Sequence, residues 1–571
     1  MTNINVSVLN GRNGFIIQGV NQDGRLGDAV SNAGDVNGDG IADIIVGALD
    51  VDAGGNNSAG QVSIIFGSNE NFADRIPVSE LDGSNGVRIN GIESEQRLGF
   101  SVSRAGDVNS DGISDIIIGA NGTNDNRGSS YIVFGGASIG EGIDLTTLDG
   151  TNGFKVDGLS ENNLLGFAVS DAGDLNGDGI ADVAVTATRA TANGQENSGA
   201  TFVIFGREGG FPEDLDLTTL DGTNGFVVKG ANSSDFSGTS VSDAGDLNGD
   251  GVDDLLIGSS QADQGDKQDA GATYVVFGRE GDFSAEINLS ELGTNGLTIN
   301  GIAAGDQSGT SVSSLGDINS DGFVDIGIGA PPASVTNENA GQGYVIFGTG
   351  NGFSQASFSL SDLNGTNGFT VNGINVDDLL GTSISAAGDL NNDEVNDFVV
   401  SAVGSNAEAG SSYVIFGKEA GNTFGATLNL SDLNINQGFS VNGIVETDRS
   451  GESVSDLGDV NGDGIDDLLV GAPQASPSEE LRDAGEAYVV FGRIENLGDV
   501  DNDGAYTNQD AYLISRMAVG LDSEFPAYPG IDPLLVADVN SDGFVSALDS
   551  AIVYSTANGS GTSNFILADF N

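Results

Sequence analysis

The chain contains no histidine, no cysteine and no tryptophan. Without imidazole or thiol there is no His-based triad or dyad, no thiolate nucleophile, no disulfide, and no zinc or iron site built on nitrogen or sulfur. Positive charge is scarce too: 18 Lys plus Arg stand against 84 Asp plus Glu, a formal charge of -66 over 571 residues. Nucleic acid and anionic membrane are poor partners for such a surface. Proline is rare, 9 residues against 90 glycines, a composition of many tight turns rather than of a Pro-rich disordered tract. No apolar run reaches the roughly 18 residues that span a bilayer. Residues 1–15 lack the basic and apolar regions of a signal peptide.

What the chain has is repetition. The string G-D-[VLI]-N-x-D-G-x-x-D recurs with its Asp at Asp35, Asp107, Asp174, Asp246, Asp317, Asp389 and Asp459, at intervals of 67 to 72 residues. Each copy reads as four strands. Small residues such as Ser240 and Ser242 alternate with Val241 over residues 238–245, which suits a strand beside an axis. Residues 254–257 and 274–277 are short continuous apolar runs, the pattern of strands covered on both faces. Residues 153–158 alternate Phe154 and Val156 with Lys155 and Asp157, a strand with one wet face that belongs outermost. Seven such units bury their faces by stacking radially, which predicts an all-β fold: a seven-bladed β-propeller of four-stranded antiparallel blades.

The Phe-Gly pair ending each third strand (Phe66-Gly67, Phe134-Gly135, Phe205-Gly206, Phe277-Gly278, Phe347-Gly348, Phe416-Gly417, Phe491-Gly492) resembles the FG-GAP repeats of integrin α-subunit head domains, as do Gly329-Ala330-Pro331, Gly471-Ala472-Pro473 and Gly47-Ala48. The resemblance covers residues 1–493. A G-F-x-x-x-G stretch at 14–19 precedes the first blade, while the last runs from Phe491-Gly492 into another motif without a fourth strand. The N-terminal strand is therefore expected to complete blade seven.

The repeated string also carries metal-ligand spacing. In the first copy Asp35, Asn37, Asp39 and Asp43 put oxygens at positions 1, 3, 5 and 9, and Gly40 at position 6 permits the turn that presents the Ile41 carbonyl. The same roles fall on Asp107, Asn109, Asp111, Ile113 and Asp115; on Asp174, Asn176, Asp178, Ile180 and Asp182; and on Asp246, Asn248, Asp250, Val252 and Asp254. They recur on Asp317, Asn319, Asp321, Phe323 and Asp325; on Asp389, Asn391, Asp393, Val395 and Asp397; and on Asp459, Asn461, Asp463, Ile465 and Asp467. Hard oxygen ligands on a flexible loop suit Ca²⁺. Three neighbouring carboxylates repel without a cation between them; the bland alternative is an Asx-turn. The integrin resemblance implies that these loops join strands one and two, opposite the ligand face, with a mainly structural metal. Glu394 stands in the sixth loop where the turn wants glycine.

From Asp499 the spacing changes. Asp499, Asp501, Asp503, Ala505 (by its carbonyl) and Asp510, then Asp538, Asn540, Asp542, Phe544 (likewise) and Asp549, follow the 12-residue EF-hand pattern with Asp at position 12. Each loop leads into a helical pattern, at 511–517 and 551–554. The pair resembles a type I dockerin over residues 494–560, which implies a cohesin-like partner; the other reading is a calcium-folded cap on blade seven. Residues 561–571 form a C-terminal tail.

The cofactor expectation is thus Ca²⁺ at about nine sites. Extracellular calcium modules bind at roughly 10⁻⁴–10⁻³ M, so the chain reads as extracellular or cell-surface, exported by a leaderless route with a C-terminal signal. The favoured function is adhesion or recognition of a protein or polysaccharide by the loops between strands two and three, such as 50–60 and 188–198, and between four and one. No catalytic residue is assigned. The alternatives are a carboxylate-based glycosidase or lyase associated with polysaccharide degradation, and a structural matrix protein.

Overall fold

The computed structural model describes residues 2–492 except 138, 335–338, 351, 354 and 435, together with 508–519, 521, 537, 545, 550, 551, 553 and 554. Seven sheets follow one another along the chain. In blade four, for example, Ser240–Gly245 pairs antiparallel with Asp254–Ser259, that strand with Ala272–Val276, and that one with Gly296–Asn300. The second strand is buried along its whole length in every blade, as a strand covered on both faces must be. The small residues of the first strand serve the contact between blades: the Ser240 and Ser101 hydroxyls each donate to a backbone carbonyl of the next blade, Gly309 and Gly166, at 3.0 Å.

The core is divided among seven apolar clusters, each joining two neighbouring blades. One holds Ile44 and Val46 of blade one together with Leu469 and Val489 of blade seven, so the ring closes by the same burial that joins its other members. Closure also uses backbone pairing. The strand Gly14–Gln18 lies antiparallel to Glu486–Val490 as the fourth strand of blade seven.

The fourth strand is not the sheet margin that its one wet face predicts. Among the described residues, a short parallel strand from the following blade's connection lies outside it in six of the seven sheets. Asp214–Leu215 extends blade two in this way, Glu286–Asn288 blade three, and Arg75–Pro77 blade seven. Thr2–Asn5 does the same for blade six, so the N-terminal segment contributes to two blades. An aromatic latch accompanies the added strand. Phe283, on the connection of blade four, stacks at 4.5 Å on Phe226 of blade three and lies 5.8 Å from Phe205, the phenylalanine of that blade's Phe-Gly pair. Phe211 and Phe72 repeat the stack on Phe154 and Phe15 at 4.3 and 4.4 Å.

Candidate metal centre

The seven loops between first and second strands share one winding. The position-1 carboxylate accepts the backbone N–H of position 5 on one oxygen and of position 6 on the other: Asp39 and Gly40 on Asp35 at 3.0 and 2.8 Å, Asp250 and Gly251 on Asp246 at 2.9 Å each. The position-5 carboxylate accepts the N–H of position 7, as Asp39 does from Ile41 at 3.0 Å. The sixth loop keeps this arrangement, the Glu394 N–H reaching Asp389 at 2.8 Å, with Glu394 held at a φ of 67°. Its glutamate thus occupies the left-handed conformation that glycine adopts elsewhere, a strain of about 1 kcal/mol.

Position 9 has a role that spacing did not reveal. Asp43, Asp115, Asp182, Asp254, Asp325, Asp397 and Asp467 are fully buried, and each accepts the backbone N–H of the glycine in its own blade's Phe-Gly pair. Gly67 reaches Asp43 at 2.8 Å, Gly278 reaches Asp254 at 2.9 Å and Gly492 reaches Asp467 at 3.0 Å. The second oxygen of Asp43 takes the N–H of Val36 at 3.0 Å. The loop is thereby tied to the third strand. Glycine is required there because a Cβ on Gly67 or Gly278 would lie 2.2 or 2.0 Å from the carbonyl oxygen at position 8. The recurrence of Phe-Gly and of the loop aspartate are one signal with one cause.

Burial pushes the Asp43 and Asp115 carboxyls up to about 7 and those of Asp182, Asp254 and Asp325 up to about 8. Asp397 and Asp467 are raised well above the usual carboxylate range for the same reason. The loop acids at positions 1 and 5 add to the rise, and the backbone N–H bonds oppose it.

Among the described residues no three carboxylates converge closely enough to hold a metal ion by themselves. The donor set of each loop is mixed, with an asparagine and a carbonyl beside three carboxylates. Two of those asparagines suit a cation: the side-chain oxygens of Asn109 and Asn391 are buried without a hydrogen-bond partner, a costly state for a polar atom. In loops one, four, five and seven the asparagine amide instead faces the position-9 carboxylate, as Asn248 does to Asp254 at 3.1 Å.

Asp499, Asp501, Asp503, Ala505, Asp538, Asn540, Asp542, Phe544 and Asp549 lie outside the described residues, as does the side chain of Asp510. The helix expected after the first C-terminal loop is present at Asn508–Ala518. Its Ser515 hydroxyl meets that of Ser550 at 2.6 Å, and Ser550 donates to the Ala511 carbonyl at 2.7 Å.

The FG-GAP repeat family matches residues 26–65, 168–204, 238–276, 308–346 and 453–490, which are blades one, three, four, five and seven. The two unmatched blades connect strands two and three by shorter turns, at Thr123–Asn126 and Ser405–Glu408, with successive left-handed residues Asn124-Asp125 and Asn406-Ala407. Among curated proteins the chain is similar to integrin alpha-5 of Xenopus laevis, 38% identical over 122 residues, 20% of this chain and 11% of that protein. It is also similar to integrin alpha-4 of Xenopus laevis, 31% identical over 181 residues, 31% of this chain and 15% of that protein. A third similarity is to phosphatidylinositol-glycan-specific phospholipase D of Bos taurus, 34% identical over 128 residues, 22% of this chain and 15% of that protein. These matches span no more than 15% of the length of any of the three relatives. Five of the seven blades match the FG-GAP repeat, and part of the chain is similar to integrin α-subunits.

Proposed function

We propose that this chain is a calcium-binding recognition propeller that works outside the cell or on its surface. The loops between first and second strands hold Ca²⁺, and the opposite face takes a protein or polysaccharide ligand. What carries this reading is one oxygen-lined loop repeated seven times over buried carboxylates that need a counter-charge to ionise at neutral pH. Positions 1, 3, 5 and 9 with the position-7 carbonyl would hold the ion, which supplies that counter-charge and fixes the hairpin. The chain's own part is to keep the donors in place through the position-9 bond to the Phe-Gly glycine. The opposite face exposes apolar side chains on its loops between strands four and one, Leu159, Val376, Ile444 and Val445, which supports recognition there. The similarity to integrin α-subunits favours binding over catalysis. The C-terminal loop-helix pair, read as dockerin-like, would attach the propeller to a cohesin-like partner.

Equilibrium dialysis of the chelator-stripped chain against Ca²⁺ is expected to give about nine bound ions. The immobilised chain is expected to retain a cell-surface protein or polysaccharide from extract with Ca²⁺ and release it with chelator. A chain that binds no calcium, or whose melting temperature is indifferent to chelator, overturns the reading.

A further inference from the structure

The loops touch one another around the ring, and they do so unequally. The glycine before each position 1 forms a notch that faces the position-8 residue of the next blade's loop. A Cβ on Gly173 would lie 2.6 Å from the Asp253 carboxylate, and one on Gly388 would lie 2.4 Å from that of Asp466. At three junctions that residue also accepts a hydrogen bond from the preceding loop. The Asp174 N–H donates to Asp253 at 2.9 Å, the Asp317 N–H to Asn396 at 3.2 Å, and the Asp389 N–H to Asp466 at 2.8 Å. At the other junctions position 8 is Ala42, Ser114, Ala181 or Val324. Of these only Ser114 bonds to the preceding position 1, through its backbone N–H, 3.3 Å from the Asp35 carbonyl.

Each bond joins a candidate ligand of one loop to the residue beside a candidate ligand of the next. Asp174, Asp317 and Asp389 are position-1 donors, while Asp253, Asn396 and Asp466 each precede the position-9 donor of their own loop. An ion that settles one loop therefore holds the acceptor that orders the loop before it, and by reciprocity the reverse also holds. Asp253 and Asp466 add a carboxylate at the junction of two loops; Asn396 contributes the hydrogen bond alone. Building on the calcium reading of these loops, we infer that Asp253, Asn396 and Asp466 are positioning residues that couple neighbouring cation sites. Loops three and four form one linked pair, and loops five, six and seven a linked run; at the other junctions no position-8 side chain supplies this link. The strained sixth loop sits in the middle of the run, held from both sides.

The absence of tryptophan makes the test site-specific. In the full-length chain Phe323→Trp places the sole tryptophan at position 7 of loop five, so tryptophan-sensitised Tb³⁺ luminescence reports that loop alone. With Asn396→Ala, or with loop six disabled by Asp389→Ala, the Tb³⁺ midpoint at loop five is expected to rise three- to tenfold. Asn396→Asp, which keeps an acceptor, is expected not to raise it. Disabling loop four by Asp246→Ala is expected to leave it unchanged, because Val324 offers loop four no acceptor. Luminescence with the parental midpoint in both Asn396→Ala and Asp389→Ala overturns the coupling and leaves the calcium reading standing. No sensitised signal that Ca²⁺ displaces overturns the calcium reading itself, and the coupling with it.

Discussion

The glycine of each Phe-Gly pair is fixed by a neighbouring carbonyl, with the 2.0 Å approach at Gly278 leaving no space for a methyl group. Gly278→Ala is expected to cost at least about 3 kcal/mol, because the third strand must move off Asp254 to accommodate it. Gly251→Ala in the same blade is the comparison: it has open space and a φ of 94°, so only the left-handed strain of about 1–2 kcal/mol applies. Thermal or urea unfolding separates the two. Glu394→Gly is expected to stabilise by about 1 kcal/mol. A pH effect belongs to Asp28, on the innermost strand of blade one. Burial pushes its carboxyl up to about 7, against Arg25 at 2.7 Å and with Glu452 adding to the rise. The folded value exceeds the ordinary 3.8, so its contribution to stability is full below about 3.8 and is lost as pH rises through about 7. In saturating Ca²⁺, Asp28→Asn is expected to raise the melting temperature at pH 8 more than at pH 5; an equal effect at both would contradict this. At this scale the sequence shows which residues repeat. It hides why, since the Phe-Gly glycine and the position-9 aspartate lie about 24 residues apart and only the hairpin brings them together.

At the scale of elements, the order of strands is readable because the first strand, the two central strands and the fourth have distinct patterns of burial. The added outer strand is not. Arg75–Pro77 and Asp214–Leu215 span three and two residues, too few for alternation to register, and their pairing is with a different blade. The shorter turns of blades two and six likewise leave the strands intact while changing the sequence between them. The N-terminal segment gives an elemental prediction. Removing residues 1–9 strips the parallel strand from blade six and the buried Ile4, Val6 and Leu9 from the cluster between blades six and seven. Removing 1–19 also opens blade seven along Glu486–Val490. The longer deletion is expected to aggregate or to melt without cooperativity, as an unpaired edge does; light scattering alongside calorimetry distinguishes this from a parental melt.

For the whole molecule, charge sets the terms. Nine doubly charged ions would bring -66 only to about -48, so the ion-free chain is expected to melt at markedly lower temperature and to recover partly in high salt, where repulsion is screened. Chelator titrations at two ionic strengths measure both effects. The axis concentrates the same problem: Arg104 pairs with Asp171 at 3.2 Å, and Asp456 and Asp243 contribute to holding its guanidinium protonated. Arg104→Ala leaves those acids facing one another, and its loss of stability is expected to be larger at pH 8 than at pH 5, because burial already pushes Asp243 up to about 7.

Closure of the ring has a consequence in time. The strand Gly14–Gln18 is made some 470 residues before its partner Glu486–Val490. At ~5–20 residues per second that is about half a minute to a minute and a half. During that interval six blades are made while the short hydrophobic lead strand still seeks its mate. Synthesis outside any chaperone's reach would expose that strand to neighbouring nascent chains, and two copies made side by side could each receive the other's.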